Sequence, residues 1–297
     1  LSLRLFSSLR IRPQTCRNQS LIVSWAYMCV IIPPQKYGIN GKLSYLCPEI
    51  TLIECLPERE GKTRKENYDM SCILHIETST KVCSVALSQE GHLIYHEEDF
   101  NGPNHSVQCG VMAEAALSFA NSHAIPVDAV AVSSGPGSYT GLRIGASMAK
   151  GICYGRALPL IAIPTPLIMC VPVLLKHDDL PEDALLVPMT DARRMEVYAA
   201  VYDRSLREVR AIGADIVEAD TYKQYLDEHP VYFFGDGSAK CREVITHPNA
   251  HFIDGILPLA KNMFPLAEKA MMRGEFQDAA YFEPFYLKEF VALKSKK

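Results

Sequence analysis

The sequence predicts an α/β protein with two related lobes, each a mixed β-sheet flanked by helices. Three short segments rich in Ile, Val and Leu, at 72–77, 82–88 and 92–98, are separated by turn residues, which is typical of an antiparallel meander. Two further apolar segments, 127–133 and 158–163, alternate with helical patterns. Because strand–helix–strand crossovers are right-handed, these two strands are expected to extend the same sheet in parallel.

The elements of the first half follow the order βββαβαβ. A helix is predicted at 105–122, with Asn104 as its N-cap, because apolar residues recur there until Pro126. A glycine-rich loop at 135–141 leads into a second helix, 142–154, which Gly155 is expected to end. This order is that of a ribonuclease-H-like lobe, the building block of the actin/hexokinase-like fold.

The second half is a weaker copy of the same plan. We therefore divide the chain into an extension outside the fold at 1–69, a first ribonuclease-H-like lobe at 70–164 and a second, degenerate lobe with a C-terminal tail at 165–297. Strands are predicted at 185–190, 196–202, 207–216 and 231–234, and helices at 219–228 and 258–273.

Residues 1–69 differ from the rest in lacking any sustained hydrophobic period. Met70 is followed at once by a clean strand pattern, so we interpret Met70 as the start of the protein and the extension as translated upstream sequence or disordered chain. A rival interpretation is a mitochondrial transit peptide, because residues 1–20 carry four arginines and no acid. No apolar run approaches the ~18 residues that cross a bilayer, so no membrane association is expected.

Composition and charge limit the function. The chain has 297 residues, of which 48% are hydrophobic and 22% charged, which excludes a disordered or fibrous protein. Residues 1–69 carry a net charge of +4 and the remainder −8, whereas a protein that binds nucleic acid alone needs a basic face. The ten scattered cysteines form no C-x-x-C pair and are interpreted as reduced thiols in a cytoplasmic protein.

The glycine-rich loop and the end of the first strand are the candidates for a ligand site. Glycines and helix N-terminal amides can hold a phosphate, but the spacing matches neither a P-loop nor G-x-G-x-x-G. A tight structural turn explains the loop equally well, and the hydroxyls after the first strand can bond their own backbone. The residues concerned are Glu77, Thr78 and Ser79 of the strand end, and Gly135, Gly137, Ser138, Thr140 and Gly141 of the loop.

Other signals for chemistry are weaker. His105 and Cys109 stand four residues apart on one helix, a spacing that suits a metal pair, but no third ligand is near in sequence. No catalytic or metal-binding residue is therefore predicted. Asp191, Arg193 and Arg194 form a charged turn that could bind a phosphate or a partner carboxylate, or could simply be solvated.

The two helices of the first half carry more apolar and small residues than one sheet can cover. Each shows only a narrow polar stripe, whereas a helix on one face of a sheet needs an apolar face about 100° wide. The surplus predicts a subunit interface, unless other parts of the chain cover it. The predicted interface residues are His105, Val111, Met112, Ala116, Arg143, Gly145, Met148, Ala149 and Ile152.

Four blocks of sequence match a known family in order and spacing. They are the first strand with its Glu-Thr-Ser turn (70–80), the glycine-rich loop (135–143), the Asp-Ala-Arg-Arg turn with the strand after it (191–198), and Pro-Phe-Tyr-Leu-Lys (284–288). From residue 70 to its C-terminus the chain resembles the TsaB (also called YeaZ) family, while the extension has no counterpart in it.

The resemblance implies a two-lobed actin/hexokinase-like subunit in the synthesis of threonylcarbamoyladenosine at adenosine 37 of tRNAs that read codons starting with A. The implied partners are a TsaD-like transferase, paired through first-lobe helices, and a TsaE-like ATPase, with tRNA reached through the complex. No cofactor is expected on the isolated chain, although ATP or ADP could bind at the level of the complex, and a homodimer could form when the partner is absent.

Two departures from related patterns favour a non-catalytic subunit. Glu77 stands where family members commonly have aspartate, and Cys109 stands where TsaD-like sequences have the second histidine of a metal pair. The alternative function is an autonomous ATPase or small-molecule kinase of the actin/hexokinase-like group, or a metallopeptidase-like enzyme.

Overall fold

The computed structural model describes residues 71–102 and 104–287, so the predicted extension at 1–69 lies outside the described residues. The first sheet contains five strands in the order β3-β2-β1-β4-β5. β1 pairs antiparallel with β2 and parallel with β4. β2 pairs antiparallel with β3, and β4 pairs parallel with β5. The strands are β1 (Cys72–Glu77), β2 (Cys83–Gln89), β3 (His92–Asp99), β4 (Ala129–Gly135) and β5 (Leu160–Pro164).

The second sheet repeats this topology. Its order is β10-β9-β6-β7-β8, with β6 antiparallel to β7 and parallel to β9. The prediction of a two-lobed α/β fold with mixed sheets is therefore confirmed. The strands are β6 (Leu185–Asp191), β7 (Glu196–Asp203), β8 (Glu208–Ile216), β9 (Val231–Phe234) and β10 (Ala250–Ile253), the last of which the sequence reasoning missed.

Two helices cover one face of the first sheet. They are α1 (His105–Ser122) and α2 (Tyr139–Arg156), and their buried residues join alternate residues of β1, β2 and β4 in one core. Asn104 occupies the N-cap position of α1 without a side-chain cap bond. Helix α2 starts earlier than predicted, because the Ser138 hydroxyl caps it, and ends later, at a left-handed Ala157 rather than at Gly155.

A third helix, α3 (Thr165–Lys176), lies between the two sheets. Ile168 and Val171 contact the first sheet, while Met169 and Val173 contact the second. Sequence reasoning missed this helix because a helix buried on all sides shows no amphipathic period.

The C-terminal segment returns to the first sheet. Helix α5 (Phe264–Met272) covers the sheet face opposite α1 and α2, and the Gln277 amide donates to the Leu160 carbonyl at the edge of β5 (2.8 Å). Phe282 enters the core beneath α2. Residues beyond 164 thus contribute to both sheets, and the predicted boundary between 164 and 165 stays a prediction.

Two helices predicted in the second half of the chain are shorter in the structure than the sequence indicated. Of the helix expected at 219–228, only α4 (Lys223–Leu226) forms, and the one expected at 258–273 splits into a 3₁₀ turn, Ala260–Asn262, and α5. Among the described residues, no helix has the length and apolar character that a membrane crossing requires.

Candidate functional site

The glycine-rich loop lies directly on the turn that follows β1. The Ser138 amide donates to the Ser79 carbonyl (2.6 Å), and the Thr78 hydroxyl donates to the Gly141 carbonyl (2.8 Å). On the other side of the loop, the Phe285 amide donates to the carbonyl of Ser134 (2.7 Å). The loop is therefore held from both sides by other parts of the chain.

The spacing between loop and turn leaves no room for a side chain. A Cβ atom on Gly137 would lie 2.3 Å from the Ser79 carbonyl oxygen, and one on Gly141 would lie 2.1 Å from that of Thr78. A phosphate is larger than a methyl group and cannot enter this contact. The geometry favours the structural interpretation of these glycines over the phosphate-binding one.

Glu77 is buried completely beneath the loop. Its Oε1 accepts the Ser79 amide (2.5 Å), while its Oε2 has no hydrogen-bond partner within the structure. Burial raises the pKa of Glu77 from 4.5 to about 7, although the hydrogen bond from the Ser79 amide opposes the rise. The carboxyl group is thus partly protonated near neutral pH and poorly suited to hold a cation.

Replacing Glu77 by glutamine is expected to change how stability depends on pH. Because the pKa of Glu77 is higher in the folded protein than in the unfolded chain, its contribution to stability is full below pH 4.5 and is lost as the pH rises through 7. The wild type should therefore lose about 3 kcal/mol relative to Glu77→Gln across this window, at ~1.36 kcal/mol per pKa unit. Denaturant unfolding of both proteins between pH 5 and 8 measures the difference.

The difference between the wild type and Glu77→Gln is also free of the opposing pH dependence that His75 contributes to stability. Burial lowers the pKa of His75 to about 3, so the contribution of His75 is full above pH 6.5 and is lost as the pH falls. Both proteins keep His75, and its effect cancels in their difference. A difference that stays constant with pH would contradict the raised pKa of Glu77.

An open apolar groove runs between α1 and α2. Its wider part, about 690 Å³, starts where both helices begin, and a second part of about 420 Å³ continues along them. Met148 and Ile152 line both parts. The helices approach closely at Gly110, where a Cβ would lie 3.5 Å from the Met148 methyl group.

The predicted interface residues differ in their burial. His105, Met112, Ala116, Gly145 and Ala149 are buried within the first lobe, because α1 and α2 turn their smallest residues toward the sheet and toward each other. They lie beneath the groove, and their side chains are not accessible to a partner in this structure. Arg143, Met148 and Ile152 line the groove, and Val111 is exposed on α1.

An aromatic and basic cluster stands at the mouth of the groove. The Arg143 guanidinium lies 5.5 Å from the centre of the Tyr139 ring and donates to the Tyr139 hydroxyl (3.1 Å). Tyr286 contacts the other side of this cluster, with its ring 4.9 Å from that of Tyr139. Sequence reasoning identified Arg143 as an interface residue but did not identify Tyr139 or Tyr286. The contact between the two tyrosines joins distant parts of the chain, so no local pattern indicated it.

The charged turn lies on the second sheet, away from the groove. The Asp191 carboxylate accepts hydrogen bonds from the Lys240 ammonium and from the Arg193 amide. Arg193 and Arg194 are exposed, with left-handed φ values of 74° and 50°. In the part of the chain that the structure describes, neither guanidinium forms an ion pair. Lys240 thus holds Asp191, while both arginine side chains are open to solvent.

His105 and Cys109 are also explained by packing. The His105 ring donates to the Thr80 carbonyl (2.7 Å) and so holds the turn after β1, while Cys109 is fully buried. Within 71–102 and 104–287, no three His, Cys, Asp or Glu side chains are close enough to hold a metal ion. The histidine thus has a structural contact and no third ligand joins the pair.

Comparison with known proteins gives a consistent result. The family model for TsaD, tRNA N6-adenosine threonylcarbamoyltransferase, matches residues 100–293. The tRNA threonylcarbamoyladenosine biosynthesis protein TsaB of Escherichia coli is 29% identical, over 75% of this chain and 96% of that protein. The TsaB protein of Haemophilus influenzae is 29% identical, over 75% and 95% of the two chains.

A solved structure gives the same match. YeaZ from Pseudomonas aeruginosa superimposes with a TM-score of 0.63 at 26% sequence identity, covering 73% of this chain and all of that one. The fold described above is therefore shared with that protein over 73% of this chain.

Proposed function

The chain belongs to the TsaB (YeaZ) family, within the group that the TsaD model describes, and from this premise we propose that it is a non-catalytic subunit that pairs with and activates a TsaD-like transferase. Its process is the biosynthesis of threonylcarbamoyladenosine in tRNA. The transferase would carry the reaction, and tRNA, a TsaE-like ATPase and any ATP or ADP would be engaged at the level of the complex.

The groove between α1 and α2 is the observation that carries this proposal. It is lined by half-buried Ile144, Met148 and Ile152, and exposed Val107 and Val111 lie beside it on α1. Apolar side chains that remain exposed next to a groove are typical of a protein interface. A partner helix laid along the groove would complete a bundle with α1 and α2.

The contact between the glycine-rich loop and the turn after β1 supports a non-catalytic role. Gly137 and Gly141 lie in close contact with the backbone of this turn, and Glu77 is fully buried. The autonomous ATPase or kinase is the less favoured function for this reason.

Replacing Val111 by arginine is expected to weaken pairing with the TsaD-like subunit of the same cell at least 100-fold, because a charged group would be desolvated in an apolar contact. Val209→Arg is the matched control, since Val209 has similar exposure (50% against 56%) but lies on the second sheet. The dissociation constants of both heterodimers, and threonylcarbamoyladenosine in tRNA from complemented cells, measure the effect.

Several results would count against the proposal. If the wild type does not pair with the TsaD-like subunit, the assigned role is wrong. If Val111→Arg pairs as Val209→Arg does, the placement of the interface is wrong. Nucleotide hydrolysis by the isolated chain that is lost in Glu77→Gln would support the autonomous enzyme instead.

A further inference from the structure

Arg143 is the cationic side chain at the mouth of the groove. It is exposed, but its guanidinium is held in one direction because it donates to the Tyr139 hydroxyl and lies over the Tyr139 ring. Among residues 71–102 and 104–287, no carboxylate forms an ion pair with it. The planar fork of N–H donors on an arginine matches a carboxylate, so the oriented side chain is suited to receive an acidic group from a partner.

We propose that an aspartate or glutamate of the partner subunit pairs with Arg143 and thereby fixes the direction and register of the helix that lies in the groove. This inference rests on the proposed function and deepens it, because it names the chemistry that the partner presents at one end of its docking surface. Apolar contact has no direction, so a helix held only by Met148 and Ile152 would be free to shift by one turn, about 5.4 Å, or to reverse.

The charges that line the groove differ between its two ends. The side chains around the mouth include one cation and no acid, whereas Glu114 and Arg156 balance each other on the second part. The positive end of the groove is therefore its mouth, and a complementary partner has its acid there. The polar and charged residues of the mouth are Ser106, Tyr139, Thr140, Arg143 and Ser147.

The starts of α1 and α2 add to the positive field at the mouth. Both helices begin there, and neither has an acidic residue in its first turn. The partial positive charge of each helix N-terminus thus acts in the same direction as the guanidinium. Ser106 and Thr140, which lie in these first turns, are exposed and line the mouth, where their hydroxyls can donate to the same carboxylate.

Glu283 is an acid of the chain itself near this cluster. Burial raises the pKa of the Tyr286 hydroxyl, Tyr139 and Glu283 add to the rise, and the Arg143 guanidinium opposes it. Glu283 is exposed and does not pair with Arg143 in this structure. The guanidinium therefore remains accessible to a partner.

The shape of the groove favours a protein carboxylate over a nucleotide phosphate. Its apolar lining continues from the mouth along both helices, which suits a helix and gives a nucleotide few polar contacts. A phosphate monoester carries about two negative charges at neutral pH, whereas the mouth offers one cation. The Tyr139 ring already contacts Arg143 and Tyr286, which leaves less of its face for a nucleobase.

Reversing the charge of Arg143 tests the proposal. The dissociation constant of the complex with the TsaD-like subunit should rise about 100-fold in Arg143→Glu and about tenfold in Arg143→Gln. Arg194→Glu is the matched control, since Arg194 is also exposed but lies in the turn between β6 and β7, and its constant should stay within about threefold of the wild type. Added salt should weaken the wild-type complex more steeply than that of Arg143→Gln, because ions screen the pair.

A charge swap identifies the carboxylate on the partner. Surface aspartates and glutamates of the TsaD-like subunit are replaced singly by arginine and paired with Arg143→Glu. One replacement should restore the affinity to within about tenfold of the wild type and should weaken binding to the wild-type chain. Failure of every swap, or equal affinities of Arg143→Glu and Arg194→Glu, would overturn the proposal.

Two further results separate this pairing from other assignments. If Val111→Arg loses pairing while Arg143→Glu keeps it, the carboxylate pairing is wrong and the proposed function stands. If the wild type does not pair at all, both fail. ATP or ADP that binds the isolated wild-type chain in titration calorimetry, but not Arg143→Glu, would assign the mouth of the groove to a nucleotide and overturn the carboxylate pairing.

Discussion

Replacing Gly141 by alanine is expected to lower the free energy of unfolding by about 3 kcal/mol, the upper part of the usual range for overpacking. The added Cβ would lie 2.1 Å from the Thr78 carbonyl oxygen, which is backbone and cannot rotate away. The same carbonyl group belongs to the turn after β1, which also accepts hydrogen bonds from the His105 ring and the Ser138 amide. Relief therefore requires the loop and the turn to separate. Denaturant unfolding with circular dichroism measures the loss.

Gly151→Ala is the matched control, because Gly151 lies in the same helix and a Cβ there meets nothing within 4 Å. This variant should be as stable as the wild type or up to ~1 kcal/mol more stable, since alanine favours helix over glycine. If Gly141→Ala behaves like Gly151→Ala, the contact between loop and turn is looser than described, and a ligand could enter it.

Replacing Ala116 by arginine is expected to prevent the first lobe from folding. Ala116 is fully buried in the core between α1 and the sheet, and an unpaired charge in such a core costs several kcal/mol. That cost is comparable to the whole stability of a typical domain, ~5–15 kcal/mol. The expected result is insoluble protein, or loss of the cooperative unfolding transition.

The comparison with Val111→Arg separates folding from pairing. Val111 lies on the same helix but is 56% exposed, so its arginine variant should unfold within ~0.5 kcal/mol of the wild type. A folded Ala116→Arg protein would show that α1 can turn away from its sheet. The buried and exposed positions of α1 would then need to be assigned anew.

Local sequence patterns were sufficient to predict most of the secondary structure. The first strand, the first helix and the strand at Val231–Phe234 have the bounds that the sequence predicts. Each shows a clear pattern bounded by turn residues or proline. The sequence also predicted the loop between strand and helix, because glycines there mark close approach of two backbones.

The predicted interface combines buried and accessible residues because small residues are ambiguous. Alanine and glycine suit both a tight contact with the helix's own sheet and a contact with another protein. Gly145 and Ala149 face the interior, whereas Met148 and Ile152, on the same helix, reach the groove. No periodicity distinguishes these two cases when nearly the whole circumference is apolar.

Long-range packing explains what the sequence could not indicate. Phe282 and Tyr286 follow the last helix by several residues and show no regular pattern, yet one enters the first core and the other stacks on Tyr139. Their positions depend on the direction in which the chain continues after α5. A pattern read along the sequence contains no information about that direction.

The position of α3 determines how the two lobes can move. Its side chains belong to both hydrophobic cores at once, with Ile168 in one and Met169 in the other. Enzymes that close two domains around a ligand swing them about a few connecting residues. Here such a swing would pull α3 out of one core and hydrate several large apolar side chains, at ~1.5–3 kcal/mol each. A swing of one lobe against the other is therefore unfavourable in this protein.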